Sequence, residues 1–166
     1  MIVSMLAASL QRALSMIAVL TALLLPIMPL EGSAKWDIAG MTPSRPAVTY
    51  YEEGKPSFVM TCSGTQTTVQ VRGFTAAQKW PQPAMSLKFG TTTRSANPDL
   101  RMIGDQTAFE FQFAISDPVL LALKNGAPLV ATYNGKSRSF PVAPALFRQE
   151  FADKCSALVP PGMRAS

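Results

Sequence analysis

The sequence predicts a mainly β domain that carries one short helix and a C-terminal helix. Three observations predict it. Phe109, Phe111, Phe113 and Ile115 alternate with Glu110 and Gln112, and a period of two marks a strand with one buried face. Asn134-Gly135 lies between the runs Leu129–Tyr133 and Ser137–Val142; it is a strong hairpin signal because both turn positions need positive φ. Phe147, Phe151, Cys155 and Leu158 recur at spacings of four, four and three, which places them on one helical face.

The chain opens on residues 1–34, which have the layout of a secretory signal peptide. Arg12 precedes an apolar run, Ala13–Leu30, and the small residues Gly32-Ser33-Ala34 follow. Pro26 and Pro29 interrupt the last third of the run, which suits the exit from a signal core and not a spanning helix. Cleavage is expected between Ala34 and Lys35. The alternative is an uncleaved anchor, because a run of about 18 residues reaches the lower limit of a membrane span. On either reading residues 35–158 form a single β-rich exported domain, periplasmic or secreted. No cysteine lies near the cleavage point, which argues against a lipid-modified amino terminus.

Residues Lys35 to Pro46 hold Gly40, Pro43 and Pro46 and are expected as an irregular lead-in, with Trp36 and Ile38 over the edge of the core. Ala47–Tyr51 reads as a first strand and Glu52-Glu53-Gly54-Lys55-Pro56 as a polar turn. Ser57–Cys62 is a short apolar strand, and Ser63-Gly64 turns the chain into Thr67–Phe74. There Val69 and Val71 occupy one face, Gln70 and Arg72 the other. Thr75–Pro83 is a loop carrying Trp80. Met85, Leu87 and Phe89 alternate with Ser86 and Lys88 in another strand. Gly90–Asp99 is rich in Thr, Ser, Asn and Pro and is expected as loop; Leu100–Ile103 is a short strand before the turn Gly104-Asp105.

Ser116-Asp117-Pro118 announces the short helix: Asp117 caps free amides and Pro118 suits the first helical position. Val119, Leu120 and Leu123 form its apolar side, and Asn125-Gly126 ends it in the left-handed conformation. The Asn134-Gly135 hairpin has flanks that differ in length from an ideal two-residue loop. The last helix, Pro144 to about Leu158, aims Cys155 into the same apolar layer as its phenylalanines. Residues 159–166 are expected as a mobile tail.

Fifteen basic residues against ten acidic ones leave a formal charge of +5, which favours anionic partners such as lipid headgroups, wall polymers or acidic proteins; solubility alone is the plainer reading. Export argues against nucleic acid. The chain has no histidine, which removes Ser-His-Asp and Cys-His nucleophiles and imidazole zinc ligation. Its two cysteines, Cys62 and Cys155, are expected to pair in an oxidising compartment, the alternative being two free thiols. No C-x-x-C redox motif is present.

Catalytic candidates reduce to carboxylates. Glu52 and Glu53 are adjacent, so on a strand they face opposite sides. Asp105 sits in a turn, Asp117 is explained as a cap, and Glu110 lies on a face where solvent is the default neighbour. Ser137 and Lys136 offer a hydrolase nothing beyond adjacency, and phosphate-cradling Gly-rich loops are absent. Arg94, Arg101, Lys136 and Arg138 lie in segments read as loops and a hairpin, either as one partner-binding patch or as scattered solvated charge. Hairpin-edge charges of this kind are expected to contribute little to folding. Trp80, flanked by Lys79 and Pro81, is either a partner contact or a loop residue folded back over the core.

The order of elements then becomes informative. An early strand runs into Cys62. Phe111-Gln112-Phe113-Ala114-Ile115-Ser116-Asp117-Pro118-Val119-Leu120-Leu121-Ala122-Leu123-Lys124-Asn125-Gly126 precedes Leu129-Val130-Ala131-Thr132-Tyr133, Phe140-Pro141-Val142 and a helix ending at Cys155. Over Ser57 to Cys155 this resembles small exported proteobacterial domains of the invasion-associated locus B type and the type VI secretion-associated periplasmic type. The resemblance implies a β-sandwich-like domain at the cell envelope without established catalytic residues. The second cysteine pair of some such proteins is missing here. Tyr50-Tyr51-Glu52-Glu53-Gly54 with Thr61-Cys62-Ser63-Gly64 is also similar to periplasmic lysozyme inhibitors, small β-barrels with a disulfide, although the C-terminal helix is not.

The fold expected is therefore an antiparallel β-sandwich or partly open barrel with a short helix and a C-terminal helix. The function expected is a non-catalytic envelope binding or accessory module held by one disulfide. Its partner would be an envelope protein or an anionic envelope polymer, with membrane contact only through a retained signal segment. No cofactor or metal is expected. A structural or assembly factor of a secretion or envelope complex and a lysozyme-inhibitor-like protein are the alternatives.

Overall fold

Alternating apolar side chains draw the strands into two antiparallel sheets whose buried faces meet. The computed structural model describes residues 34–38, 42, 44–115 and 118–160. The expected signal segment apart from Ala34, the cap Asp117 and the tail from Pro161 onward lie outside the described residues. The strands are β1 (Lys35–Asp37), β2 (Ala47–Glu52), β3 (Lys55–Ser63), β4 (Gln66–Arg72), β5 (Met85–Phe89), β6 (Thr92–Ala96), β7 (Asp99–Ile103), β8 (Gln106–Ala114), β9 (Leu129–Tyr133) and β10 (Lys136–Phe140). The helices are α1 (Pro118–Lys124) and α2 (Ala145–Leu158). One sheet has six strands in the order β1-β2-β3-β4-β8-β7; the other has four, β10-β9-β5-β6.

The aromatic strand is internal to its sheet. Phe109, Phe111 and Phe113 of β8 lie opposite Val71, Val69 and Thr67 of β4, and all six are buried. Across the gap between the sheets, Phe109 meets Tyr133 with centroids 4.6 Å apart. Phe140 of β10 meets Phe58 at 5.4 Å and Tyr50 at 5.8 Å. These contacts fasten a β-sandwich and decide against an open barrel.

The β9–β10 hairpin is tighter than its sequence flanks indicated. Tyr133 pairs directly with Lys136, and Asn134 and Gly135 take φ of 47° and 75°, so the loop is a two-residue one. Two segments read as irregular are strands. Gly90–Asp99 contains β6, paired with β5 from Phe89↔Thr92 to Met85↔Ala96. An edge strand needs backbone pairing and only one neighbour, so its Thr and Ser content did not prevent it. The lead-in contains β1, paired with β2. Trp36 secures it, packing 5.1 Å from Tyr50 and donating from Nε1 to the Pro141 carbonyl at 3.0 Å.

The helices close one part of the sandwich. Pro118 begins α1 as expected, and Val119, Leu120 and Leu123 are buried. Gly126 follows at φ 81°, its N–H donating to the Leu123 carbonyl at 2.9 Å. Arg148 of α2 caps this helix end, donating from Nε to the Lys124 carbonyl at 3.0 Å and from Nη1 to the Ala143 carbonyl at 2.9 Å. On α2, Phe151, Ala152 and Cys155 are buried, Leu158 packs partly buried on the core, and Phe147 is only half-buried. Cys155 is bonded to Cys62 of β3 with both side chains fully buried, so the disulfide ties the last helix to an early strand. Among the described residues, no helix is long and apolar enough to cross a membrane.

Candidate functional site

A cavity of about 460 Å³ opens where the strands of the six-stranded sheet end. Strand β2 finishes at Glu52, the turn Glu53-Gly54 returns the chain into Lys55 of β3, β4 finishes at Arg72, and β8 begins at Gln106. Arg138 enters from β10 of the other sheet. Its Nη1 donates to the main-chain carbonyl of Arg72 and its Nη2 to the Glu52 carboxylate. Its guanidinium carbon also lies 5.4 Å from the Phe140 ring centroid, within cation–π range. Gly73 makes the approach possible: its φ is 86°, and a Cβ there would collide with the Arg138 guanidinium.

Arg72 corrects the sequence reading. Alternation places it beside Gln70 on the polar face, yet it is only 7% exposed. Its Nη1 donates to Gln106 Oε1 at 3.4 Å, and its Nε has no partner among the described residues. Burial pushes its pKa down, opposed by Tyr51. The sequence signal for it was slight: an Arg in the last strand position, directly before Gly73 and Phe74. On β2, burial and then Glu52 push the Tyr50 phenol up, with Arg138 opposing. At the rim, Lys55 Nζ bonds Asp105 Oδ2 at 2.9 Å. That bond holds Lys55 above, and Asp105 below, their ordinary pKa values.

Other acids are also occupied. Glu110 has a side chain only 14% exposed, 3.7 Å from Arg101 Nε, and accepts from Gln70 Nε2 at 2.8 Å, so solvent is not its main neighbour. Glu53 sits in the turn at φ 52°, so the two adjacent glutamates are not successive strand positions. Among the described residues, no group of three or more His, Cys, Asp or Glu gathers into a metal site.

The four candidate bases fall on three edge strands. Lys136 and Arg138 share β10, the first exposed and the second part-buried. Arg94 lies on β6, on the same register row as Arg138 through Leu87 and Ala131, roughly 14 Å away at ordinary strand spacing. Arg101 lies on β7, the edge strand of the other sheet; the short link Asn97-Pro98 brings β6 and β7 to one flank. Trp80 is 75% exposed and does not fold back over the core. Its loop is anchored from beneath by buried Gln82, which donates from Nε2 to the carbonyls of Ala77 at 3.1 Å and Lys79 at 3.0 Å. Tyr133 Oη donates to Gln82 Oε1 and accepts from the Ala77 N–H.

No family model, curated protein or solved structure matches the chain. The class defined by fold and site is a two-sheet antiparallel sandwich, stapled by one disulfide and bearing a charged cleft at the end of its larger sheet.

Proposed function

We propose that the chain is an exported binding or accessory module of the cell envelope, acting on an anionic partner without chemistry. The observation that carries this reading is the Cys62–Cys155 disulfide, buried between β3 and α2. A staple of this kind persists in oxidising compartments and is rare in reducing ones, and the segment before Lys35 has the pattern of an export signal. The net charge of +5 favours a negatively charged partner. Lys136 is the exposed edge-strand base offered to it; Arg94, Arg101 and Arg138 also lie on edge strands but carry contacts of their own, Arg101 with Glu110 and Arg138 with Glu52. Trp80 adds an exposed aromatic on an anchored loop, the kind of residue that dominates protein contacts. The resemblance to envelope domains of the invasion-associated locus B type supports the same reading.

Photo-crosslinking from position 80 in intact cells tests it, followed by identification of the captured partner and comparison of low and high salt. A salt-sensitive envelope partner is the expected result. Recovery of the protein in the cytoplasm with both thiols free would overturn it.

A further inference from the structure

Arg72 is the one charged side chain buried among the described residues, and it has no counter-charge there. Glu52 is engaged by Arg138, Asp105 by Lys55, and Glu53 lies exposed in its turn. A guanidinium does not shed its proton, so burial without a partner is costly. The group lies in the wall of a cavity of about 460 Å³, a volume that suits a small ligand or the end of a chain. Its Nε, buried and unpartnered, is the donor left over.

We propose that this cleft binds a carboxylate, seated on the Nε edge of Arg72 with the Arg138 guanidinium alongside. The proposal rests on the reading of the domain as a binding module. A planar carboxylate matches the parallel donors of a guanidinium fork. The charges in the wall favour a monoanion over a dianion. Glu52 and Glu53 share the cavity lining with Lys55, Arg72 and Arg138, so a second negative charge on the ligand would meet two carboxylates. Gly73 lets the Arg138 guanidinium lie where a Cβ would stand, which brings that cation to the Arg72 end of the cleft. Gln106 spends its Oε1 on Arg72, so its amide NH₂ is what it has left to donate.

The test is a titration of the purified protein, followed by the Arg Nε–H resonances and by thermal melting. Acetate, inorganic phosphate and chloride are added at matched ionic strength. Acetate is expected to shift the Arg72 Nε–H signal saturably and to raise the melting temperature, with at least about tenfold preference over chloride. Arg72→Met should abolish the acetate-dependent rise in melting temperature. Arg72→Lys, which keeps the charge and loses the fork, should weaken it about tenfold; it also serves if the methionine variant does not fold. Tighter binding of phosphate than acetate would overturn the carboxylate assignment. An equal response to chloride, or an acetate response that survives both substitutions, would overturn the site. Retention on envelope fractions, measured in parallel, separates the two readings. Retention without acetate binding defeats only this inference, whereas acetate binding without any envelope partner defeats the module reading.

Discussion

Arg138, on the edge strand of the smaller sheet, donates to the main-chain carbonyl of Arg72 at the end of a strand of the larger one. This bond joins the sheets beside the apolar contacts of Phe74 with Tyr133 and of Phe140 with Phe58. It passes Gly73, whose absent side chain is what leaves room for the guanidinium.

Gly73→Ala should therefore damage the cleft twice. The backbone conformation disfavours alanine, and the new methyl group displaces Arg138. A loss of about 1–3 kcal/mol is expected from strain of this type. The contribution of the collision is read from a double-mutant cycle: in an Arg138→Ala background the same change should cost less. Strictly additive losses in denaturant unfolding would show that Gly73 serves only its own backbone.

Phe111 and Gln112 are neighbours in β8 with opposite environments, the first buried and the second exposed. Phe111→Ala should cost about 3–5 kcal/mol, and Gln112→Ala no more than about 0.5 kcal/mol. Similar shifts in the unfolding midpoint for both would contradict the facing of the strand.

The parts of the fold legible from sequence are those where pattern and turn chemistry act locally. The alternation in β5 and β8, the Asn134-Gly135 turn and the face holding Phe151 and Cys155 are examples. The parts that were not legible depend on distant neighbours. Strand β6 exists because β5 offers it a ladder, and β1 because Trp36 finds Tyr50 and the Pro141 carbonyl. The cleft was hidden for the same reason. Glu52, Arg72 and Arg138 are separated by many residues, and strand parity alone assigned Arg72 to solvent. Its burial follows from where β4 ends and from Arg138 crossing over that end.

Cys62 and Cys155 are 93 residues apart in sequence, so their bond removes much of the freedom of the unfolded chain. Loop-closure arithmetic gives about 4–5 kcal/mol. The Cys62→Ala, Cys155→Ala double variant should lose an amount of that order in denaturant unfolding, and reductant should lower the stability of the wild-type protein but not of the variant. A stability unaffected by reductant that demonstrably breaks the bond would contradict this.

The Lys55–Asp105 pair predicts a pH signature with two flanks. Asp105 is held below 3.8 by the hydrogen bond from Lys55, so its contribution is fully present above 3.8 and is lost as pH falls through its lower folded value. Lys55 is held above 10.5 by the same bond, so its contribution persists up to 10.5 and is lost as pH rises through its higher folded value. Both groups are exposed, so the effect is small and weakened by salt. The difference in melting temperature between the wild-type protein and Asp105→Asn should be greatest at intermediate pH and close at both extremes. A difference independent of pH would assign the effect to something other than this pair.

Lys136 and Arg138 share a strand but should separate stability from recognition. Lys136 is exposed, and its side chain has no hydrogen bond or ion pair among the described residues; Lys136→Ser should change stability by no more than about 0.5 kcal/mol. Arg138 is different from the freely solvated hairpin base that its sequence position suggests. Its side chain is 24% exposed and its partner Glu52 37%, so the pair is only partly screened by water. Removing Arg138 leaves the Arg72 carbonyl and the Glu52 carboxylate without their donor. Arg138→Ser should cost about 1–2 kcal/mol, allowing for solvent screening of the ion pair, and the loss should be smaller in a Glu52→Gln background. Retention on envelope fractions should respond the other way at low salt, with Lys136→Ser weakening it at unchanged stability. High salt should erase that difference, because exposed charges act over about 8 Å at physiological ionic strength and less beyond it. Equal stability losses for the two serine variants would show that Arg138 does not bridge the sheets. Retention indifferent to Lys136 and to salt would move the contact to an apolar surface, with Trp80 the residue to replace next.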